Sequence, residues 1–452
     1  MGRSPGFHGP DKKRDAMVGA FDPKFRPKTS GNKTSGIKTS GTEQSGAGKS
    51  GILGSKASRR SALGLILGAP LLGACAGVQQ SISQFSVPNP FSSSSPAPTA
   101  GPVGPQQQSV AIGTGNVKVA LILPLSAGGN AGVAAQSMKN ASEMALAEFL
   151  SPNLQLLIKD DAGSPQGAQQ AAQLAVDEGA EIILGPLFAA SVPAVAQVAR
   201  ARNISVIAFS TDSSVASRGV YLLSFLPESD VNRIVDYAAG TGKRSFVAML
   251  PENAYGNVVE AAFKQAVPRR GGRVVAFEKY GADRATATRN IVAALGQADS
   301  LLLADDGEAV VSVADGLVAA GANLKNLQLL GTGLWDNPRV FGSPHMQGGL
   351  YAAPDPAGFR AFAARYRSKY GGEPVRTATL AYDAVALVAA LSRTQGGKRF
   401  TSEVLLNASG FAGIDGLFRF RAEGTNERGL AVMRVTSGGP TSVAGSPRSF
   451  GA

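Results

Sequence analysis

The sequence predicts an α/β protein of two lobes, each a mostly parallel sheet flanked by helices. Three observations lead there. From Val117 onward, short apolar runs alternate with longer alanine-rich stretches. Repeated βα units of this length imply parallel sheets covered on both faces. Ten or so apolar runs occur, and that many strands fit two open sheets better than one.

The elements follow in order. Val117–Leu123 reads as the first strand and stops at Pro124. A helix comes next, since Met138, Ala141, Ala145 and Phe149 recur three to four residues apart and share one face. Residues 154–158 form a strand. Ser164 and Pro165 then stand as N-cap and first helical residue, and Gly179 closes that helix before a strand at 181–184. Further strands are expected at 204–209, 246–250, 273–277, Ser300–Leu303 and 327–330, with helices between them. In such sheets a ligand lies at the carboxyl ends of the strands, where loops and helix amino termini converge.

The chain ahead of Val117 has another character. Residues 1–58 are rich in Gly, Ser, Thr and Lys and repeat every five residues as Lys28-Thr29-Ser30-Gly31, Lys33-Thr34-Ser35-Gly36 and Lys38-Thr39-Ser40-Gly41. Such a segment cannot bury a core and is expected to be disordered. Gly46-Ala47-Gly48-Lys49-Ser50 is not a phosphate loop, because Glu43 occupies the required first glycine position and no strand precedes it. Arg59-Arg60 then opens an apolar run from 62 to 72, broken only by glycines and Pro70, that ends in Leu72-Gly73-Ala74-Cys75. That order is the order of an export signal, and the run is too short for a permanent span.

Leu72-Gly73-Ala74-Cys75 resembles the lipobox of bacterial lipoproteins, whose cysteine is diacylated and becomes the new amino terminus. The resemblance implies a signal peptide at 59–74 and a lipid anchor at Cys75. It places the protein in the periplasm on a bacterial membrane, the outer one preferred. Ser58-Arg59-Arg60 also resembles part of a twin-arginine signal. The length ahead of the signal points to a start codon further downstream, at Val18 or Leu53. Residues 75–116, rich in Ser, Pro, Gly and Gln, read as the lipidated cysteine and a flexible tether. Residues 438–452 read as a disordered tail.

Composition removes several function classes. The formal charge is +12, yet 13 of the 44 basic residues and only four of the 32 acidic ones precede Cys75, leaving +3 for the rest. A basic nucleic-acid-binding face therefore has little support, and no nucleic acid is expected as partner. One cysteine and two histidines, His8 and His345, cannot assemble a His/Cys metal cluster, so neither metal nor cofactor is expected. His345 is the one histidine of the folded part and lies in a Gly/Pro-flanked stretch, read as a surface loop rather than a catalytic base. Asp160-Asp161 and Asp305-Asp306 are consecutive acids at strand ends, better placed to cap helices or face water than to act as an acid/base pair. No catalytic residue is assigned.

The motifs Lys118 to Ser126, Lys159-Asp160-Asp161 with Pro165 to Ala168, Asp177-Glu178-Gly179, Ile183 to Leu187, Val206 to Ser210, Tyr255-Gly256 and Ala381 to Ala384 hold their order and spacing. Together they resemble the leucine/isoleucine/valine-binding family of type I periplasmic binding proteins. Gly331 to Asp336, Ala352 to Pro356 and Gly413 to Phe420 resemble its penicillin-binding protein activator branch. The resemblance implies a two-lobed type I periplasmic binding protein fold at 117–437 with three hinge crossings. One lobe is placed at about 117–225 and 351–395, the other at about 226–350 and 396–437, closing around a ligand.

The same resemblance places the cleft. Ser126 closes the Lys118 to Ser126 motif, just after the first strand. The loop Leu187, Phe188, Ala189, Ser191 leads into a helix whose backbone N–H groups can hold an anion. Ala189 stands where the family often carries a serine; Ser191 reads equally as a replacement hydroxyl and as a helix cap. Ser210 and Thr211 offer hydroxyls, with Asp212 beside them. Tyr255 matches the family's second-lobe tyrosine and reads equally as ordinary packing. Gly333 replaces the acid that holds a ligand's ammonium group, leaving Asp305 or Asp336 to approach. Trp335 reads either as a ligand-facing aromatic or as core.

The function implied is an extracytoplasmic binding lipoprotein, not an enzyme. It is read as a regulator of peptidoglycan synthesis whose lobes engage a synthase. The alternative is a substrate-binding receptor that hands an amino acid or another small solute to an ABC permease. Cys75→Ser should abolish labelling by a palmitate analogue and leave an uncleaved precursor; a variant that still labels would remove the anchor.

Overall fold

A computed structural model describes residues 110–149 and 153–450 of the chain. Cys75, the signal at 59–74, the segment 1–58 and the tether as far as 109 lie outside the described residues.

The first lobe is laid down by β1 (Val110–Ile112), β2 (Val117–Leu123), α1 (Gly129–Glu148), β3 (Leu154–Asp160), α2 (Pro165–Asp177), β4 (Ile182–Leu184), α3 (Val192–Ala201), β5 (Ser205–Ala208) and β6 (Val220–Leu222). Its sheet runs β1-β3-β2-β4-β5-β6, parallel except for β1, which pairs antiparallel with β3. The alternation of side chains explains why β2 is apolar on both faces. Val119, Leu121 and Leu123 enter one core with α1, while Ala120 and Ile122 enter another with the alanines of α2 and α3. α2 starts as its sequence requires, with Pro165 at its first position and the Ser164 hydroxyl accepting from the Gly167 N–H.

The second lobe continues with α4 (Pro227–Gly240), β7 (Ser245–Pro251), α5 (Ala254–Arg269), β8 (Arg273–Tyr280), α6 (Arg284–Leu295), β9 (Ser300–Leu303), α7 (Gly307–Ala319), β10 (Gln328–Gly331), α8 (Pro338–Gly342) and β11 (Leu350–Ala353). The chain returns to the first lobe for α9 (Pro356–Tyr370), α10 (Ala378–Thr394), α11 (Ser402–Leu405), β12 (Phe411–Gly413), β13 (Gly416–Phe420) and β14 (Asn426–Arg428). It then crosses back for β15 (Ala431–Thr436) and β16 (Gly439–Ala444). The second sheet runs β16-β15-β11-β10-β9-β7-β8, and β12-β13-β14 make a small antiparallel sheet.

Three connections therefore join the lobes, but not all where the sequence placed them. β11 belongs wholly to the second sheet, between β10 and β15, so the second crossing follows Ala353 rather than Leu350. The third lies between Arg428 and Ala431 rather than near 395. Phe400, Leu405, Phe418 and Phe420 are buried in the first lobe's core, which holds residues 396–428 there. At the ends of the domain, β1 joins the sheet seven residues before Val117, inside the expected tether. The expected tail likewise forms β16, paired antiparallel with β15.

Gly185, at the carboxyl end of β4, has φ of +99°, and a Cβ there would stand 2.0 Å from the Ile122 carbonyl oxygen. Gly185→Ala should lower stability by at least ~2 kcal/mol, read as a fall in the urea midpoint; an unchanged midpoint would show that the strand end can relax.

Candidate ligand cleft

The first connection leaves the carboxyl end of β6, and the second leaves the carboxyl end of β11. The third enters β15 beside that same end, since Ala431 pairs with Ala353. The carboxyl ends of both parallel sheets thus face the connections, and the cleft is framed by them.

On the first lobe the wall is largely spoken for. Ser126 is exposed, and its N–H donates to Asp160 Oδ1 at 3.2 Å. Asp161 is buried, accepts from the Gly163 N–H and is pushed up to about 6, mainly by burial. Leu187, Phe188 and Ala189 are half-buried. Ser191 precedes α3 but makes no cap bond, and its hydroxyl is fully buried without a partner among the described residues. Ser191 is thus neither the cap nor the exposed hydroxyl that the sequence left open. Ser210 is buried, with its Oγ accepting from the Asp212 N–H, whereas Thr211 is exposed. Asp212 Oδ1 accepts from the N–H and the hydroxyl of Ser214 and so caps the short turn Ser213–Val215.

The second lobe presents an ordered polar wall. Asn253 accepts from the Gly256 N–H and so fixes the first turn of α5, bringing the Tyr255 hydroxyl 2.8 Å from Thr332 Oγ1. The Tyr280 hydroxyl donates to Asp305 Oδ2 at 3.0 Å. The Tyr351 hydroxyl reaches Asp336 Oδ1 at 3.5 Å. Burial raises all three tyrosines above their ordinary range and raises Asp336, against the pull of Arg376 and Arg360 from the first lobe.

Trp335 is the correction. It is fully buried, its indole N–H donates to the Leu303 carbonyl at 2.9 Å, and it lies within the core between β9, β10 and β11. A Cβ on Gly331 would meet its ring at 2.1 Å. The neighbouring Leu334 is the exposed apolar residue there, at 46%.

The residue that sequence reasoning missed is Asp230. It lies in the first turn of α4, just past the first connection, and its Oδ2 accepts from the Gly333 N–H at 2.9 Å. That oxygen lies 3.4 Å from where a Cβ on Gly333 would stand. Burial pushes Asp230 up to about 7; the Gly333 N–H and Arg428 pull it down, and Glu228 adds to the rise.

The connections also carry a charged knot. Phe225 is flanked by the guanidiniums of Arg376 and Arg428, at 4.6 and 4.8 Å from its ring centre. Arg376 grips Asp415 with two bonds of 2.9 and 2.6 Å. Asp383 accepts from the Ile414 N–H at 2.8 Å and is pushed up to about 7 by burial and by Asp415. At the opposite end of the second lobe, His345 lines a separate surface hollow of about 480 Å³ with Leu324, Gln328 and Gly348.

A family model described as periplasmic binding protein matches residues 116–440. The chain belongs to that family. Solved structures of the same fold include a protein from Rhodospirillum rubrum assigned to branched-chain amino acid ABC transport. It is 19% identical with a TM-score of 0.65, covering 72% of this chain and 99% of that one. An ABC transporter substrate-binding protein from Desulfitobacterium hafniense, in complex with Leu, is 17% identical with a TM-score of 0.54, covering 72% and 99%. A solute binding protein of an ABC transporter from R. palustris, in complex with benzoate, is 19% identical with a TM-score of 0.52, covering 75% and 98%. A curated relative, the uncharacterized protein RP748 of Rickettsia prowazekii, is 21% identical over 164 residues, 36% of this chain and 43% of its own length. The leucine-binding-like two-lobed fold expected from the motifs is thus the fold of the chain.

Asp383 holds a proton in the folded state between its ordinary value of 3.8 and about 7, so its contribution to stability falls as pH rises through that window. Asp383→Asn should gain on the wild type in urea midpoint between pH 4 and pH 7 and hold its gain above. A gap independent of pH would remove the assignment.

Proposed function

We propose that the chain is a lipid-anchored periplasmic receptor that closes its lobes on a small solute and signals that closed state to a membrane partner. The observation that carries this reading is the ordered wall of the second lobe, where Tyr255, Tyr280 and Tyr351 each fix a hydroxyl or a carboxylate at the mouth of a strand. The hydroxyls of Tyr280 and Tyr351 are themselves closed off, so what they offer a small polar molecule is the fixed carboxylate of Asp305 or Asp336 at a strand end, beside the half-buried Tyr255. A permease of the ABC class is the partner that this reading implies, in keeping with the solute-binding proteins of the same fold.

A second reading has its own support. The first lobe's wall is thin in free donors, with Ala189 lacking a hydroxyl and Ser191 wholly buried, while Leu334 stays exposed beside Gly333. Those features favour an activator-like lipoprotein whose lobes engage a peptidoglycan synthase. Calorimetry of the purified protein against amino acids, amines, aromatic acids and muropeptides separates the two. The receptor reading expects micromolar binding of at least one solute, about 8 kcal/mol. It expects leucine, isoleucine and valine no tighter than about millimolar, near 4 kcal/mol. Absence of any solute binding, with retention of a peptidoglycan synthase on the immobilised protein, would replace the first reading by the second.

A further inference from the structure

The connections enclose more negative than positive charge. Four carboxylates, Asp230, Glu228, Asp383 and Asp415, surround two guanidiniums, Arg376 and Arg428. Asp415 is answered directly by Arg376. Asp383 is buried at 3% exposure with Arg428, Arg376 and Asp415 around it. Asp230 is different: it is only half-buried. Its side chain has one hydrogen-bond partner among the described residues, the Gly333 N–H, and no cation within ion-pair distance. Its bonded oxygen meets the Gly333 N–H just past the carboxyl end of β10, and its charge acts on Tyr255, whose hydroxyl is paired with Thr332.

A half-enclosed carboxylate in an acid-rich surrounding needs a counter-charge. Burial raises Asp230 to about 7, so below that value a proton takes the place of a counter-charge. Asp305 and Asp336 are held by tyrosine hydroxyls; Arg284 stands over the Tyr280 ring at 5.9 Å, and Arg376 and Arg360 act on Asp336 from the first lobe. The opposite wall gives a carboxylate little in return, with Ser191 and Ser210 at 0% and 4% exposure.

We propose that the solute of this cleft is a small protonated amine rather than an α-amino acid, with its ammonium group seated on Asp230 and the Tyr255 hydroxyl. The proposal rests on the cleft being a solute site. Asp230 Oδ2 keeps its bond from Gly333 and the second oxygen takes the ammonium, displacing a proton below about pH 7.

Alkylamines stay protonated across the range where Asp230 titrates, so their binding isolates its charge. The groups acting on Asp230 are Arg428 from β14, Glu228 from its own helix, Tyr255 from α5 and, around that tyrosine, Asp305 from the end of β9. Calorimetry with n-butylamine and putrescine, against leucine and benzoate, is run on the full-length protein between pH 5 and pH 8. The expected result at pH 8 is amine binding at least tenfold tighter than leucine. Affinity should hold above pH 7 and fall about tenfold per unit below about 7, where the proton competes. Asp230→Asn, nearly the same shape, should weaken amine binding roughly tenfold to a hundredfold and, as for Asp383→Asn, leave the protein at least as stable as the wild type at pH 8. The pH series on the unaltered protein stands whether or not that variant folds. Amine binding indifferent to pH and to Asp230→Asn overturns the proposal. So does binding of leucine or benzoate without the amines, which would leave the receptor reading intact. Silence toward every solute removes both.

Discussion

Each of the two large sheets of this protein is covered by helices on both faces, and that constraint decides where chemistry can occur. A strand such as β2, with Val119, Leu121 and Leu123 in one core and Ala120 and Ile122 in another, has no face left for a solute. Only strand ends remain open. The three connections bring the carboxyl ends of both sheets toward one another, so the polar groups of the cleft stand on loops, in first turns of helices or, as Tyr280 and Tyr351, within the strands that end there. That is why the positioning groups are caps and turn residues, such as Asn253 before Tyr255 and Asp306 before α7.

The connections are not simple tethers between rigid halves. The Ser224 carbonyl, on the first, accepts from both Asn426 and Arg428, which lie just before the third. The next residue, Phe225, lies between the guanidiniums of Arg376 and Arg428. Two separate crossings are thereby bound to each other by hydrogen bonds and cation–π contact rather than by apolar packing alone. Such contacts are directional, so they favour rotation about a defined line over loose separation of the lobes.

What could be read in the sequence was what is local. The cap Ser164 and Pro165 of α2, and strands with continuous apolar character, depend on neighbours within a few residues and were legible. β1, β12, β14 and β16 were not, because they do not stand out from the polar, Gly- and Ser-containing stretches around them and are held by partners elsewhere in the chain. Trp335 could not be placed, since the same Gly331-Thr332-Gly333-Leu334-Trp335 run serves a rim or a core until the helices around it are known. Asp230 was invisible as a site residue because its partner Gly333 lies 103 positions away. In sequence it is one of two acids in the first turn of a helix, where acids are common.

The burial of Trp335 bears on how the molecule can be watched. It is the sole tryptophan, enclosed in one lobe with its indole N–H bound to the Leu303 backbone. Its emission therefore reports the melting of that lobe and says nothing of the other, whose aromatic core is tyrosine and phenylalanine, with Tyr221 against Phe420. Circular dichroism averages over both lobes. If the two signals part company along a denaturant ramp, the lobes come apart as independent cooperative units; if they coincide, the clasp at Ser224 and Phe225 couples them into one.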